Sequence, residues 1–291
     1  MIIDTHAHCY WETLEPRIDE IIANMQKNGV TLAVQIGCDI ESSEKAIALA
    51  RRFPWIFLAT VGLHPETAQD NYELWIMNYE WKAMSNSKKK LKQMNELISG
   101  NRDSIVGIGE TGFDFHYLDG SDGGKIRVDL DHLSDKAREQ IENQKYWWRE
   151  QWKLAQKYNL PLVIHTRDAR EATLEFMKAE WVNRAVMHCF SEDWEFAREL
   201  LNFSSEIYFS FSWILTYKSA IKIQEAAQKI PLDRILLETD SPFLAPVPLR
   251  WTVNEPANTH YTLEKLIELR TESREEMTQK VYENSKRFYS I

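Results

Sequence analysis

The chain begins with an apolar stretch that runs into two histidines, Ile2-Ile3-Asp4-Thr5-His6-Ala7-His8. Alternate side chains of a β-strand share one face, so a strand here would place His6 and His8 about 6–7 Å apart on the same side. By itself, this motif is more typical of two surface histidines. However, apolar or β-branched runs further along the chain also end at His64, His165, His188, Glu110 and Asp240. The recurrence predicts several strands whose ends together bind metal.

Apolar strands and amphipathic helices alternate about eight times along the chain. The first predicted helix has a stripe of Ile18, Ile21, Ile22 and Met25 and ends at Asn28-Gly29. After the N-terminal strand, further strands are predicted at residues 31–37, 56–63, 104–109, 160–165, 185–187, 207–211 and 235–240. Strands that are apolar on both faces are typical of a parallel sheet covered by helices.

Eight such units predict an α/β fold, a (β/α)8 TIM barrel that forms a single domain over residues 1–291. The alternative is a doubly wound open sheet, which would not bring the first and last strands together. A polar surface insertion is expected at about residues 114–138; its acidic run lacks the ligand spacing of a calcium loop. A long helical region is predicted at about residues 72–98, broken near residues 85–90.

The composition and the lengths of the apolar runs argue against a membrane-spanning protein. The 291 residues are 44% hydrophobic and contain no apolar run of the roughly 18–20 residues that a membrane span needs. Met1 leads directly into a strand, so we expect a cytoplasmic protein with no membrane association.

The odd number of cysteines, Cys9, Cys38 and Cys189, predicts free thiols. The net charge of −9 argues against a protein that coats nucleic acid non-specifically. A substrate that carries phosphate and binds at a single site is still compatible with this charge.

The candidate ligands form a mixed nitrogen and oxygen set of four histidines and two carboxylates. Such a set suits zinc, manganese, cobalt or iron(II) better than an all-oxygen calcium or magnesium cage. Six ligands exceed the three or four of a catalytic zinc centre, whereas two ions can share a bridging carboxylate. We therefore expect two divalent ions, with zinc, manganese or magnesium as the candidates.

The motifs resemble, in order, those of the TatD family of metal-dependent deoxyribonucleases, within the amidohydrolase-like barrel superfamily. The matching segments are residues 4–8, 62–65, 107–114, 162–169, 188–191 and 238–242, and residues 254–258 and 281–288 are also similar. The resemblance implies that His6, His8 and Asp240 hold one ion and that His165 and His188 hold the other. It further implies that Glu110 bridges the two ions and that His64 lies near the substrate phosphate.

The resemblance implies hydrolysis of phosphodiester bonds near DNA ends, with removal of nucleotides 3′ to 5′, and a metal-bound hydroxide is the expected attacking group. Asp240 is the best candidate to accept the proton of the attacking water, so Asp240 and Glu110 are the predicted catalytic residues. Arg167 could bind a phosphate through its guanidinium, or it could pair with Asp168 or Glu171. Glu238 is expected to hydrogen-bond behind the metal ligands, and His116, His132 and His260 are expected bystanders.

Two other functions remain open at this point. A metal-activated water also attacks carbonyl carbon, so the chain could be a carboxylic ester or amide hydrolase such as a D-aminoacyl-tRNA deacylase. The third alternative is a barrel that binds a partner without catalysis. A protein that had become non-catalytic would be expected to lack at least one metal ligand, and none of the candidate ligands is missing here. The expected partner is DNA, as single strands or duplex ends, and no obligate protein partner is evident.

The chain departs from the family pattern on its predicted rim loops. Glu192 and Trp213 replace usual glycines, and the segment around Trp251 lacks another. These changes leave the ligands untouched but alter the expected substrate entrance. Trp213 and Trp251 could stack on a base, although packing is the commoner role of tryptophan.

Overall fold

Eight parallel strands form one sheet in which every strand pairs with the next one in the sequence. This computed structural model describes residues 1–69, 80–121 and 132–291. The strands are β1 (Ile2–Ala7), β2 (Val30–Gln35), β3 (Phe57–Val61), β4 (Ile105–Asp114), β5 (Leu162–Arg167), β6 (Arg184–Met187), β7 (Glu206–Phe211) and β8 (Ile235–Leu237). The predicted (β/α)8 barrel is confirmed.

The barrel nearly closes just beyond the ends of β1 and β8. The Asp240 amide donates to the His6 carbonyl (2.9 Å), and the His8 amide donates to the Ser241 carbonyl (2.8 Å). An open doubly wound sheet would hold these two strands apart, so that alternative is wrong. Closure places the two N-terminal histidines beside Asp240.

Helices cover the outside of the sheet. They are α1 (Ile18–Lys27), α2 (Ile40–Arg52), α3 (Pro65–Gln69), α4 (Glu80–Gly100), α5 (Asp135–Tyr158), α6 (Arg170–Ala179), α7 (Trp194–Phe203), α8 (Ile221–Lys229), α9 (Thr259–Leu269) and α10 (Arg274–Tyr289). The predicted stripe of α1 is buried at Ile18, Ile21 and Met25. Among the described residues, no helix has the length and apolar character needed to cross a membrane.

Three predicted elements differ clearly from the structure. Helix α4 continues through residues 85–90, because lysine is a good helix former and needs no break; residues 72–79 of that prediction lie outside the described residues. Strand β4 extends past residue 109 because it keeps pairing with β5 as far as Asp114 and Arg167. Strand β8 ends at Leu237, and Asp240 lies beyond it in a left-handed conformation (φ 57°).

The insertion after β4 is only partly at the surface. Phe115 and Leu118 are 4% and 1% exposed, so the first residues of this connection pack into the core. Residues 122–131 lie outside the described residues. Asp119 accepts a hydrogen bond from Ser134, which also caps α5.

Two glycines allow β3 and β4 to approach each other where Glu110 leaves the sheet. A Cβ atom at Gly62 would lie 2.1 Å from the carbonyl carbon of Gly109 and 2.4 Å from the nitrogen of Glu110. Gly109 itself has φ 140°, which side chains rarely allow. The position of the Glu110 carboxylate therefore depends on the absence of side chains at both glycines.

A Gly62→Ala substitution should destabilise the fold by about 1–3 kcal/mol, because backbone atoms cannot move away from the added methyl group without strain. The measurement is the free energy of unfolding in urea. Gly100→Ala is the matched control, since nothing lies within 4 Å of its added Cβ. Equal stability of the two variants would contradict the close approach.

Candidate metal centre

Six side chains converge at the carboxyl ends of the strands, which is the end where TIM barrels build their active sites. Glu110 lies at the middle of the group. Its Oε1 atom is 2.6 Å from His188 Nε2 and 2.8 Å from His165 Nδ1. Its Oε2 atom instead faces His6 Nε2 at 3.5 Å. One carboxylate thus presents its two oxygens to two different histidine sets.

The second carboxylate completes the N-terminal set. Asp240 Oδ1 lies 3.5 Å from His6 Nε2 and 3.6 Å from His8 Nε2. Candidate ligand atoms of these three residues lie within 4.8 Å of one another, as close as ligands of one ion must be. The structure brings all six predicted ligands together.

Hydrogen bonds fix which nitrogen of each histidine faces the centre. His188 Nδ1 donates to Glu238 Oε1 (3.3 Å) and His165 Nε2 donates to Asp114 Oδ2 (3.0 Å), since a carboxylate only accepts. When these rings are neutral, the other nitrogens, His188 Nε2 and His165 Nδ1, carry free lone pairs and face Glu110. His8 follows the same rule, because its Nδ1 lies 3.2 Å from the Ile36 carbonyl and its Nε2 faces Asp240. Orienting contacts of this kind are typical of metal-ligating histidines.

His6 gives the clearest test of whether the pocket fits a metal. Its ring is fully buried and stacks on His188 with centroids 4.0 Å apart. Neither of its nitrogens has a hydrogen-bond partner. Buried polar atoms are nearly always satisfied, so a ring nitrogen aimed between two carboxylates without a partner fits a cation at that point.

His64 has the opposite orientation. The amide of Glu66 donates to His64 Nδ1 (3.1 Å), so the proton of the neutral ring must lie on Nε2. That nitrogen is 3.6 Å from Glu110 Oε1. In this tautomer Nε2 offers a hydrogen-bond donor instead of a free lone pair, although candidate ligand atoms of His64, Glu110 and His165 also lie within 4.8 Å of one another.

The charges of the centre reinforce one another. Burial alone raises the pKa of Glu110, but the neighbouring His188, His64 and His6 outweigh burial and hold it well below its usual value. Burial alone lowers the pKa of His165, whereas hydrogen bonds to Asp114 and Glu110 raise it to about 9. Burial also opposes the charge of His188, but the charge of Glu110 and hydrogen bonds to Glu110 and Glu238 raise its pKa well above the usual value. The carboxylates therefore demand positive charge here.

Burial dominates at two other histidines. It lowers the pKa of His6, and it lowers the pKa of His64 to about 4. His64 is therefore neutral near pH 7 and keeps its single proton on Nε2.

Three neighbouring residues were missed in the sequence. Asp114 orients His165, and it shares the inward face of β4 with Glu110 four positions earlier, a period-two signal that could have found it. Tyr10 contacts His8 Nδ1 (3.0 Å) and donates to the Ile36 carbonyl. Cys38, just after β2, has its sulfur 4.0 Å from both His8 Nδ1 and Glu110 Oε2.

The remaining predicted residues lie at the edge of the centre. Glu238 accepts hydrogen bonds from His188 and from the amide of Cys189 (2.7 Å), which agrees with its expected supporting role. The exposed Arg167 guanidinium lies 5.2 Å from the Tyr117 ring, and Asp168 pairs with His116 at 3.0 Å. His260 contacts the carbonyl of Ala257. All three cysteines are free.

The unusual rim tryptophans differ in exposure. Trp213 starts a 3-10 turn, packs against Tyr217 (5.2 Å between centroids) and has a buried indole nitrogen, which supports packing. Trp251 is 87% exposed, and Arg250 lies 5.0 Å from its ring. Glu192 directly precedes Asp193, which caps α7.

Comparisons with known proteins identify the family of the chain. A model of the family described as "TatD related DNase" matches residues 3–290. A Bacillus subtilis protein named "Uncharacterized metal-dependent hydrolase YabD" is 33% identical, with 100% of both chains aligned. A protein of Escherichia coli K12 named "Uncharacterized metal-dependent hydrolase YcfH" is 28% identical, covering 100% of this chain and 96% of the relative.

Solved structures show the same fold. The crystal structure of YjjV, a TatD homologue from Escherichia coli K12, has a TM-score of 0.80 at 23% identity, covering 100% of this chain and 98% of that chain. A TatD family hydrolase from Entamoeba histolytica has a TM-score of 0.75 at 21% identity, with 99% and 97% covered. The chain is thus an enzyme rather than a non-catalytic barrel, and it belongs to the TatD family of metal-dependent hydrolases.

Proposed function

We propose that the protein hydrolyses phosphodiester bonds of DNA with two divalent ions and removes nucleotides from the 3′ end. The observation that carries this proposal is the orientation of Glu110, whose two oxygens face separate histidine sets. A carboxylate placed in this way suits a bridge between two cations. The family description as DNase supports DNA as the substrate.

The first ion would be held by His6, His8 and Asp240, and the second by His165 and His188, with Glu110 common to both. Such ions, when bound, lower the pKa of a water molecule and neutralise charge on the phosphate. The protein fixes the ligands through Asp114, Glu238 and the Ile36 carbonyl, each of which accepts from the outer nitrogen of a histidine. These contacts keep the inner nitrogens aligned.

Asp240 is the carboxylate placed to take the proton from the attacking water. Its side chain is 19% exposed, whereas those of Glu110, Asp114 and Glu238 are 5%, 3% and 1% exposed. Among these four carboxylates, Asp240 is therefore the one that water reaches most readily. A general base must be within hydrogen-bond reach of the proton that it removes.

Two side chains would bind the phosphate. His64 is neutral near pH 7 and carries its proton on Nε2, so it would donate a hydrogen bond without needing to change its charge. Arg167 is exposed at the end of β5, where its guanidinium could form two parallel hydrogen bonds with phosphate oxygens.

The rival substrate is a carboxylic ester or amide. The net charge of −9 weakens the DNA and tRNA substrates alike, because a polyanion is repelled by an acidic protein at long range, whereas it does not oppose a small ester or amide. Both substrates use the same attacking group, so the ions alone do not separate the two functions.

The manganese-loaded protein should shorten end-labelled single-stranded DNA from its 3′ end in steps of one nucleotide. It should leave a panel of carboxylic esters, including a D-aminoacyl-tRNA, nearly unchanged. The measurement compares kcat/KM for the two substrate classes on one preparation. Cleavage of the esters alone would overturn the DNase proposal and support the rival.

An Asp240→Asn variant shows that the activity belongs to this centre rather than to a contaminating nuclease. It should lose at least about 100-fold in kcat, since general-base catalysis contributes about 10²–10⁴-fold. His260→Gln is the matched control, because His260 lies outside the centre, and it should retain wild-type activity. Undiminished cleavage by Asp240→Asn would remove this residue from the mechanism.

Metal binding should strengthen as the pH rises from 6 to 8. His165 has a pKa of about 9 in the folded protein, so in chelator-treated protein it is protonated throughout this range and must lose its proton to ligate. The apparent affinity for Mn²⁺ should then increase about tenfold per pH unit for each proton displaced. Isothermal titration calorimetry in buffers of different ionisation enthalpy counts these protons.

The stability of the chelator-treated protein has the opposite pH dependence. The raised pKa of His165 stabilises the fold fully below about pH 6.5, the unfolded value, and this contribution is lost as the pH rises through about 9. The difference in Tm between manganese-loaded and chelator-treated protein should therefore widen with pH. A constant difference, with no proton released, would contradict the ligand role of His165.

A further inference from the structure

Exposed apolar side chains are concentrated at the metal end of the barrel. Among the described residues, eleven large hydrophobic side chains are exposed, and five of them lie in the loop that follows β8. These five are Phe243, Leu244, Val247, Trp251 and Val253. A clustered apolar surface beside a polar pocket is typical of a ligand-binding region, whereas single exposed residues are not.

Two aromatic residues connect this surface to the metal centre. The rings of Trp11 and Phe243 meet edge to face with centroids 5.0 Å apart. Each ring also lies against His8, at 6.0 Å for Trp11 and 5.9 Å for Phe243. Both nevertheless stay about two-fifths exposed, at 40% and 41%. An aromatic pair thus borders a proposed ligand of the first ion and keeps a face open to solvent.

We propose that Trp11 and Phe243 form a stacking subsite for a nucleobase adjacent to the cleaved phosphodiester. The inference rests on the proposed DNase function and names residues that would recognise the substrate. A phosphate bound at the centre is joined to its base through a single sugar, so a base on the His8 side of the centre would reach the Trp11 and Phe243 rings. Stacking accepts every base, which suits an exonuclease without sequence preference.

The charge of the surface argues against other occupants. Residues 241–253 contain one basic residue, Arg250, and no lysine, which is a weak attraction for an anionic membrane. The Arg250 guanidinium lies over two aromatic rings of the same region, Tyr217 at 4.6 Å and Trp251 at 5.0 Å. Exposed aromatic rings with an interleaved arginine are the features that bind single-stranded nucleic acid.

The test combines removal of a base with removal of a ring. Three 3′-labelled oligonucleotides are compared: one intact, one abasic at the last nucleotide and one abasic at the penultimate nucleotide. For the wild-type protein, one of the abasic positions should lower kcat/KM by about 5–100-fold, mainly through KM, because stacking contributes equally before and during the reaction. In Trp11→Ala and Phe243→Leu, the ratio of kcat/KM for the intact substrate to kcat/KM for the abasic substrate should fall towards one.

Two controls separate stacking from loss of structure. Phe243→Tyr keeps an aromatic ring and should keep the wild-type ratio. Trp55→Ala should also keep it, since Trp55 is 88% exposed but precedes β3, at the opposite end of the barrel.

The inference is overturned if the wild-type protein cuts intact and abasic DNA equally well, or if the ratio survives in both ring variants. If no DNA is cut at all, the proposed function fails together with the subsite. Light scattering tests for a second copy: a dimer that Phe243→Leu dissociates would make this surface a protein interface and overturn the inference. The vesicle test is decided in the same way. If all variants bind vesicles that contain anionic lipid, and the ratio of kcat/KM between intact and abasic DNA is unchanged, the surface binds a membrane and the inference is overturned.

Discussion

The constraint on which the centre depends is a buried carboxylate surrounded by nitrogen. Glu110 is 3% exposed and is charged, so it must have positive partners within a few ångströms. Removing an isolated charge from water costs several kcal/mol even after relaxation, and only close counter-charges offset that cost. His165 and His188 can supply it as protonated rings, or as neutral ligands of divalent ions. Such a pocket would exchange protons for metal, and its charge balance would then couple metal affinity to pH.

The barrel makes this arrangement possible by delivering each group from a different strand. Residues at the carboxyl ends of parallel strands point to one rim, and closure between β1 and β8 brings His6 and His8 to Asp240. The close approach of Gly62 to Gly109 sets the direction of Glu110. A surrounding layer of acceptors then fixes which nitrogen of each histidine faces inwards. A backbone or side-chain donor in place of one of these acceptors would move the ring proton to the inner nitrogen. His64 is in this state, because its Nδ1 accepts from the amide of Glu66.

The sequence predicted the barrel and all six converging side chains, because both follow from local regularities. Strand periodicity of two places residues on one face, and the ends of parallel strands share one rim. The orienting contacts were harder to predict, since Asp114 and His165 come from different strands and meet only through their pairing. Tyr10 was missed although it lies only two residues from His8, because strand periodicity does not extend into the turn after β1; Cys38 was missed because its contacts with His8 and Glu110 arise only in the folded barrel. The longer β4 shows that pairing with a neighbouring strand decides where a strand ends, whereas the continuous α4 follows from the helix propensity of its lysines.

The central claim is that Glu110 bridges two ions, and anomalous diffraction from crystals of the manganese-loaded protein tests it most directly. The account predicts two anomalous peaks, one on each side of the Glu110 carboxylate. One peak should contact His6, His8 and Asp240, and the other should contact His165 and His188. A single peak at saturating manganese, or a pair of peaks that Glu110 does not touch, would contradict the account.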